Sequence, residues 1–351
     1  MAEIWLLFHF LDNLAFLKDW IFQGCLAREG RKAARVNREI DVSICIVNYN
    51  AGRYIRACLD SIIHCTSGIN YEVIAVDNAS TDGSVQMIRH DYPMVRIIQN
   101  DSNRGFARAS NQAVRAARGE FILLLNPDTE LKNDAINVSV NFLRNQDRRD
   151  LLTCMILNPD GTIGVSKKGE LFFSLRGQAF LQFRLNRFFP RSTLYKKALL
   201  RDEDFREQRE LFFVAGCFLL LRRDFFLEIG LFDESFFLYG EDDDLCLRIR
   251  HAGGRILYHP EGKVLHWEKK SSFPLSLRPY FFYILNRYRF YRKHYGVARA
   301  FIFRMIVFAS STFKILLGLL YHRPNKEATW ERKKNLLNWM WALGLKRGPR
   351  S

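Results

Sequence analysis

The sequence predicts an α/β fold: a mostly parallel sheet flanked by helices, followed by a helical, membrane-associating extension. Three observations carry this. Short β-branched or apolar runs alternate with single helical patterns between about residues 42 and 125, the pattern of a parallel sheet covered on both faces. Three of the runs stop at polar clusters, Asn48–Asn50, Asp77–Ser80 and Asn126–Thr129. Beyond about residue 275 the alternation gives way to a basic, aromatic stretch without strand signals.

The elements follow in order. Val42–Val47 is a β-branched run that ends at Asn48-Tyr49-Asn50. Ile55, Leu59, Ile62 and Ile63 then share one face of a helix. Glu72–Val76 is the second strand, and Thr81–Ser84 reads as a turn and helix cap. Val95–Ile98 is a third strand, Ala107–Ala117 a helix and Phe121–Leu125 a fourth strand. Residues 171–209, rich in Phe, Leu and Arg, read as a loop-and-helix insertion, and the apolar run Leu211–Leu221 as one buried strand. Ligands of such sheets bind beyond the C-terminal strand ends, near a reversal of strand order. The first half is therefore a nucleotide-site candidate. It lacks a Gly-x-Gly-x-x-Gly turn after the first strand and a Walker-type loop, so phosphates would have to be neutralised another way, most simply by a metal.

Charge separates the ends of the chain. The formal net charge is +16, of which +14 falls between Leu275 and the C-terminus. There the basic residues alternate with Tyr280, Phe281, Phe290, Phe301 and Phe308. Rings beside cationic head groups suit an anionic membrane surface better than nucleic acid, which is not expected as a partner. Phe301–Tyr321 is long enough to span a bilayer, but Arg304 and Lys314 interrupt it, which favours a helix lying in the interface. An amphipathic helix is expected over about residues 3–24, with a basic linker after it. The seven cysteines are odd in number and without metal-ligand spacing, as expected of reduced, buried thiols on the cytoplasmic side of a membrane.

Three motifs bear chemistry. Asn126-Pro127-Asp128-Thr129 follows a strand directly; its carboxylate could hold a divalent cation against a diphosphate, or the tetrapeptide could be a plain turn. Glu241-Asp242-Asp243-Asp244 opens a helix. The helix dipole accounts for one or two carboxylates there, while four together call for a cation or a catalytic use. His266 ends an apolar run and reads either as a metal ligand or as a half-buried core histidine.

Taken together, Val42–Asn50, Val76–Ser84, Asn103–Phe106, Leu124–Thr129 and Gly240–Arg248 closely resemble glycosyltransferase family 2, in particular its rhamnosyltransferase-like bacterial members. The resemblance covers about two-thirds of the chain, Asp41 to about Ser272. It implies a GT-A fold and an inverting, metal-dependent transfer from a nucleotide-sugar donor. By that likeness Val47, Tyr49, Asn50, Asp77, Asn103, Gly105 and Asn126 line the nucleotide site, with Asp77 on the base. Asp128 and His266 would ligate Mg2+ or Mn2+, and Asn126 stands where the family's Asp-x-Asp motif has its first acid. Asp242 would be the general base; a helix start alone leaves Asp242 and Asp243 both open. A base among other carboxylates is expected to hold its proton more tightly.

The expected organisation is an N-terminal helix and linker (1–38), a catalytic domain (39–274, with halves 39–150 and 151–274) and the tail (275–351). The expected reaction is hexosyl transfer, rhamnose from dTDP-rhamnose leading, onto a lipid-linked or cell-envelope glycan at the cytoplasmic face of the membrane. Its rivals are a polyprenyl-phosphate glycosyltransferase and a non-catalytic basic binding protein.

Overall fold

The structure is a computed structural model that describes residues 40–164, 169–189, 192–193, 200, 205–267, 277–320 and 326–344. The expected N-terminal helix and linker lie outside the described residues. From Ile40 onward the chain forms one compact unit.

Strands β1 (Val42–Asn48), β2 (Tyr71–Asp77), β3 (Val95–Gln99) and β4 (Phe121–Leu125) alternate with helices α1 (Gly52–Cys65), α2 (Ser84–Asp91) and α3 (Phe106–Ala116). β1 pairs in parallel with both β2 and β4, and β2 with β3. All five residues of β4, Phe-Ile-Leu-Leu-Leu, are buried, as a strand covered on both faces must be. Burial contributes about 1.5–3 kcal/mol for each such side chain.

The chain then adds β5 (Thr129–Leu131), α4 (Ala135–Arg144), β6 (Leu151–Leu157), α5 (Leu175–Gln182), β7 (Arg209–Leu211), β8 (Phe218–Arg222), α6 (Arg223–Glu228), α7 (Glu241–His251) and β9 (Ile256–His266). The strands run β3-β2-β1-β4-β8-β6-β9-β5, with β7 also on β9. β4–β8, β6–β8, β5–β9 and β7–β9 are antiparallel. The parallel sheet of the first half is thus extended into a mixed one.

The order reverses between β1 and β4. Their C-terminal ends open on the crevice where α/β sheets take ligands.

One expected strand is not there. Leu211–Leu221 divides into the last residue of β7 and Phe218–Leu221 of β8, with Phe212–Cys217 outside both. The break is a tight turn in which the Cys217 N–H donates to the Ala215 carbonyl at 2.9 Å. Apolar content alone had suggested continuity, because Phe213 and Val214 are buried although they are not in a strand.

The basic stretch folds as α8 (Leu277–Leu320) and α9 (Lys326–Ala342). α8 is broken at Gly296, whose φ of 83° and ψ of 173° no helix accommodates. Its first arm is packed into the catalytic unit: Phe281, Phe282, Ile284, Phe290 and Tyr291 are buried, and Phe282 stacks on Phe237. The second arm packs Ala300, Phe303 and Val307 against Leu337, Trp341 and Ala342 of α9.

Candidate active site

The donor-side rim is built from amides at the ends of β1 and β2. Asn48 and Asp77 are register partners, and Asn48 Nδ2 donates to Asp77 Oδ1 at 2.7 Å and to Ser84 Oγ at 2.8 Å. The other oxygen, Asp77 Oδ2, accepts from the Ser80 N–H at 3.0 Å. Asp77 is buried, and with each oxygen offering two lone pairs it keeps acceptor capacity for further donors. Asn50, at φ 52°, accepts from the Thr81 N–H through Oδ1 at 2.8 Å. Val47 and Tyr49 flank Asn48, half-buried at the same edge.

A second loop closes this edge. Asn103 Oδ1 accepts from the Gly105 N–H at 2.9 Å, and Asn78 Nδ2 donates to the Gly105 carbonyl at 3.3 Å. Gly105 sits at φ 84°, and a Cβ there would lie 2.6 Å from the Phe237 carbonyl oxygen. Only glycine allows this approach. It brings Asn103–Phe106 against the segment that leads into α7.

Between these lies the turn after β4. The Asn126 N–H donates to the Cys217 carbonyl at 3.1 Å, and Thr129 Oγ1 donates to the Asn126 carbonyl at 2.7 Å. The pairing of β5 with β9 places Thr129 opposite His266. His266 Nε2 is thereby 3.2 Å from Asp128 Oδ1 and 3.4 Å from Asn126 Nδ2. Two ligands on adjacent corners of an octahedral cation lie about 3 Å apart, so this pair fits a divalent ion. No cluster of three His, Cys, Asp or Glu joins it among the described residues. Substrate phosphate and water would complete the coordination, as hard cations in phosphate sites accept.

The acidic turn of α7 resolves into unlike roles. Asp243 meets Arg287 at 2.8 Å, both nearly fully buried. The Arg287 guanidinium lies 4.9–5.7 Å from the ring centroids of Phe172, Phe173, Tyr283 and Phe290. Asp244 meets Lys293 at 2.6 Å, Arg248 at 2.8 Å and His294 at 2.8 Å. Burial would push the Asp244 carboxyl up, but hydrogen bonds from His294, Lys293 and Arg248 and the charge of Arg248 hold it down at about 2. Glu241 is buried as well, which leaves Asp242 as the half-buried member of the four. Its Oδ2 accepts from the Gly216 N–H at 3.0 Å.

The expected crowding of like charges around Asp242 is corrected here. Asp243 and Asp244 face cations supplied mainly by α8, which offset their repulsion. Arg287, Lys293 and His294 were not singled out from the sequence, and the spare acidity of residues 241–244 was the one signal that partners had to exist. Gly216 was likewise missed, since a glycine in an apolar run carries no signature of the carboxylate it will meet.

Comparison with known proteins gives four findings. The family model described as glycosyl transferase family 2 matches residues 43–230. The chain is 30% identical over 241 residues to the N-acetylglucosaminyl-diphospho-decaprenol L-rhamnosyltransferase of Mycobacterium tuberculosis, covering 64% of this chain and 76% of that one. It is 25% identical over 245 residues to rhamnosyltransferase WbbL of Escherichia coli K12, covering 68% and 88%. Among solved structures, GalNAc-T7 with UDP, GalNAc and Mn2+ superposes with a TM-score of 0.56 at 16% identity, over 87% of this chain and 56% of that one. That likeness bears on the fold alone, which is of the GT-A type.

Proposed function

Because the chain belongs to glycosyl transferase family 2, we propose that it transfers a sugar, with inversion, from a nucleotide-sugar to a hydroxyl of a lipid-linked or cell-envelope glycan. Rhamnose carried on dTDP is the leading donor, supported by the likeness to two rhamnosyltransferases. The name of the mycobacterial relative specifies a lipid-linked acceptor.

One observation carries the reading: the loop before β8 touches both candidate centres. Its Cys217 carbonyl accepts from Asn126 beside Asp128, and its Gly216 N–H donates to Asp242 one residue earlier. The base and the phosphate-side turn therefore share one edge of the sheet, with Asp77 on the neighbouring strand ends.

In the proposed reaction Asp77 orients the nucleotide base, with Val47, Tyr49, Asn50, Asn103 and Gly105 around it, and Asn126 contacts ribose or phosphate. Asp242 takes the acceptor hydroxyl proton as that oxygen attacks the anomeric carbon. The bond from that carbon to the diphosphate breaks, and the nucleoside diphosphate departs. Asp128 and His266 would hold a divalent ion, Mg2+ or Mn2+, whose charge stabilises the leaving diphosphate when bound. The Gly216 N–H, donating to Asp242 Oδ2, would fix the orientation of that carboxylate toward the acceptor.

Calorimetry against UDP-, dTDP- and GDP-sugars tests the donor side. Binding of one donor is expected to need the cation and to weaken about tenfold or more in Asp128→Ala, a loss of about 1.4 kcal/mol or greater. Equal binding with and without cation, in both proteins, would remove the metal assignment.

A further inference from the structure

The second arm of α8 carries an apolar surface that the sugar-transfer site does not use. Val297, Phe301, Ile302, Met305, Phe313, Leu316 and Leu317 are 36–65% exposed. At 100° per residue they fall on the side of the helix away from Ala300, Phe303 and Val307, which face α9. A second segment adds to this face. Phe183, at the end of α5, meets Phe313 with ring centroids 6.1 Å apart. The chain beyond it carries Leu185, Phe188 and Phe189, at 37%, 75% and 58% exposure. An exposed apolar patch of this extent, contributed by two segments, marks an interaction surface.

Charge decides the partner. α8 holds no acidic residue over its whole length; Arg299 borders the apolar side of the second arm, while Arg304 is turned to α9, where it donates to the Trp341 and Ala342 carbonyls. The insertion adds Arg184 and Arg187 beside Phe188 and Phe189. Exposed rings and aliphatic side chains bordered by Arg299, and by Arg187 beside Phe188 and Phe189, complement an anionic lipid surface. A second copy would set the same cations against each other. Length and composition alone would let α8 cross a bilayer, since Phe281–Leu317 contains an 18-residue window with a mean hydropathy of 1.7. The first arm, however, is packed in the catalytic unit up to Tyr291, and one side of the second is covered by α9, whose start Lys-Glu-Ala-Thr-Trp-Glu-Arg-Lys-Lys is strongly polar. Such a pair lies on the membrane and does not thread it.

We propose that the outer side of the second arm of α8, together with the Phe188–Phe189 tip of the insertion, docks the protein on an anionic lipid bilayer in the plane of the interface. Gly296 turns this arm relative to the first, and Phe303 stacks on Tyr291 across the break, so that docking and the grip on α7 fall to different stretches of one helix.

The test uses the full chain and sedimenting vesicles of phosphatidylcholine with or without phosphatidylglycerol. Wild type is expected on the anionic vesicles, and to leave them in high salt or alkaline carbonate. Phe301→Ser with Leu316→Ser, and separately Phe188→Ser with Phe189→Ser, should each lower partitioning at least about tenfold. All four side chains are exposed, so both variants should keep the wild-type melting temperature and donor binding; donor binding also reports separately on the sugar-transfer reading. Wild-type partitioning by both variants would overturn the surface. Retention through alkaline carbonate would replace it with a span, and a dimer dissolved by both variants would replace the lipid with a second copy.

Discussion

The ends of β1 and β2 are held by amides, and the first turn of α7 by cations. On the donor side Asn48, Asn50, Asn78, Asn100 and Asn103 bond to one another, to Asp77 or to nearby backbone. Every one of these groups lies within the first parallel strands and their loops. On the base side the partners of Asp243 and Asp244 come mostly from α8, some 40–50 residues later in the chain. Asn286 adds bonds to the Leu238 and Tyr239 carbonyls, and Arg289 one to the Ser235 carbonyl. The amide rim is thus a local construction, whereas the acidic turn is held by a helix from much later in the chain. The rim holds the Asp77 carboxylate with neutral donors that keep their geometry whatever their surroundings' charge. A network of buried ions depends on every member being present and ionised.

The sharpest test of that division is Asp242→Asn. It should lower kcat by about 10²–10⁴, the usual worth of a positioned general base, while the KM for donor stays near wild type. The amide is close in shape and can still accept from the Gly216 N–H, so the turn should survive. Asp243→Asn is the control, because Asp243 is committed to Arg287. If Asp243→Asn lost turnover while Asp242→Asn kept it, the base would have to be moved by one residue.

Arg287→Met should have the next largest effect. Removing one partner of a buried ion pair costs about 3–5 kcal/mol, and Arg287 also fills the space between four aromatic rings. Methionine replaces part of that packing, so a loss near 3 kcal/mol is expected in denaturant unfolding. The double variant Arg287→Met with Asp243→Asn should recover much of it, since the buried charge then goes as well. An unfolding midpoint unchanged by Arg287→Met would show that α8 does not secure the acidic turn. Turnover should fall with the single variant more than donor affinity does, because the amide rim has no part in this contact.

These unlike origins explain what the sequence disclosed. Each donor-side residue stands at the end of its own short strand, and strand, polar cluster and helix cap all fall within about ten residues. The alternation from Val42 to Leu125 was therefore readable, and so was the common edge of Asn48, Asp77 and Asn126. The second half is joined by antiparallel pairings between distant segments, which leave no local mark. Hence Leu211–Leu221 read as one strand, although Gly216 breaks it to reach Asp242. The acidic turn of α7 was visible as chemistry but not as an assembly. Nothing near residue 242 announces that Arg287 and Lys293 will neutralise its neighbours, and the basic charge of α8 pointed only outward, to a membrane.

The smallest expected effect is on pH, and it concerns the base side alone. The Asp244 carboxyl lies at about 2 in the folded protein against an ordinary 3.8. A depressed carboxylate contributes stability that is fully present above the unfolded value and is lost as pH falls through the folded one. The window is therefore roughly pH 4 down to 2, and the contribution at neutral pH is about 2 kcal/mol. Asp244→Asn should flatten this part of the unfolding-versus-pH curve and lower stability at pH 7. Asn100→Ala, which disturbs the amide rim at Asn78 and Gln112 without removing a bond to a carboxylate, should shift the curve without changing its slope there. If Asp244→Asn leaves the acid limb as steep as in wild type, the cations of α8 are not what holds that carboxylate ionised, and the contrast between the two regions loses its electrostatic half.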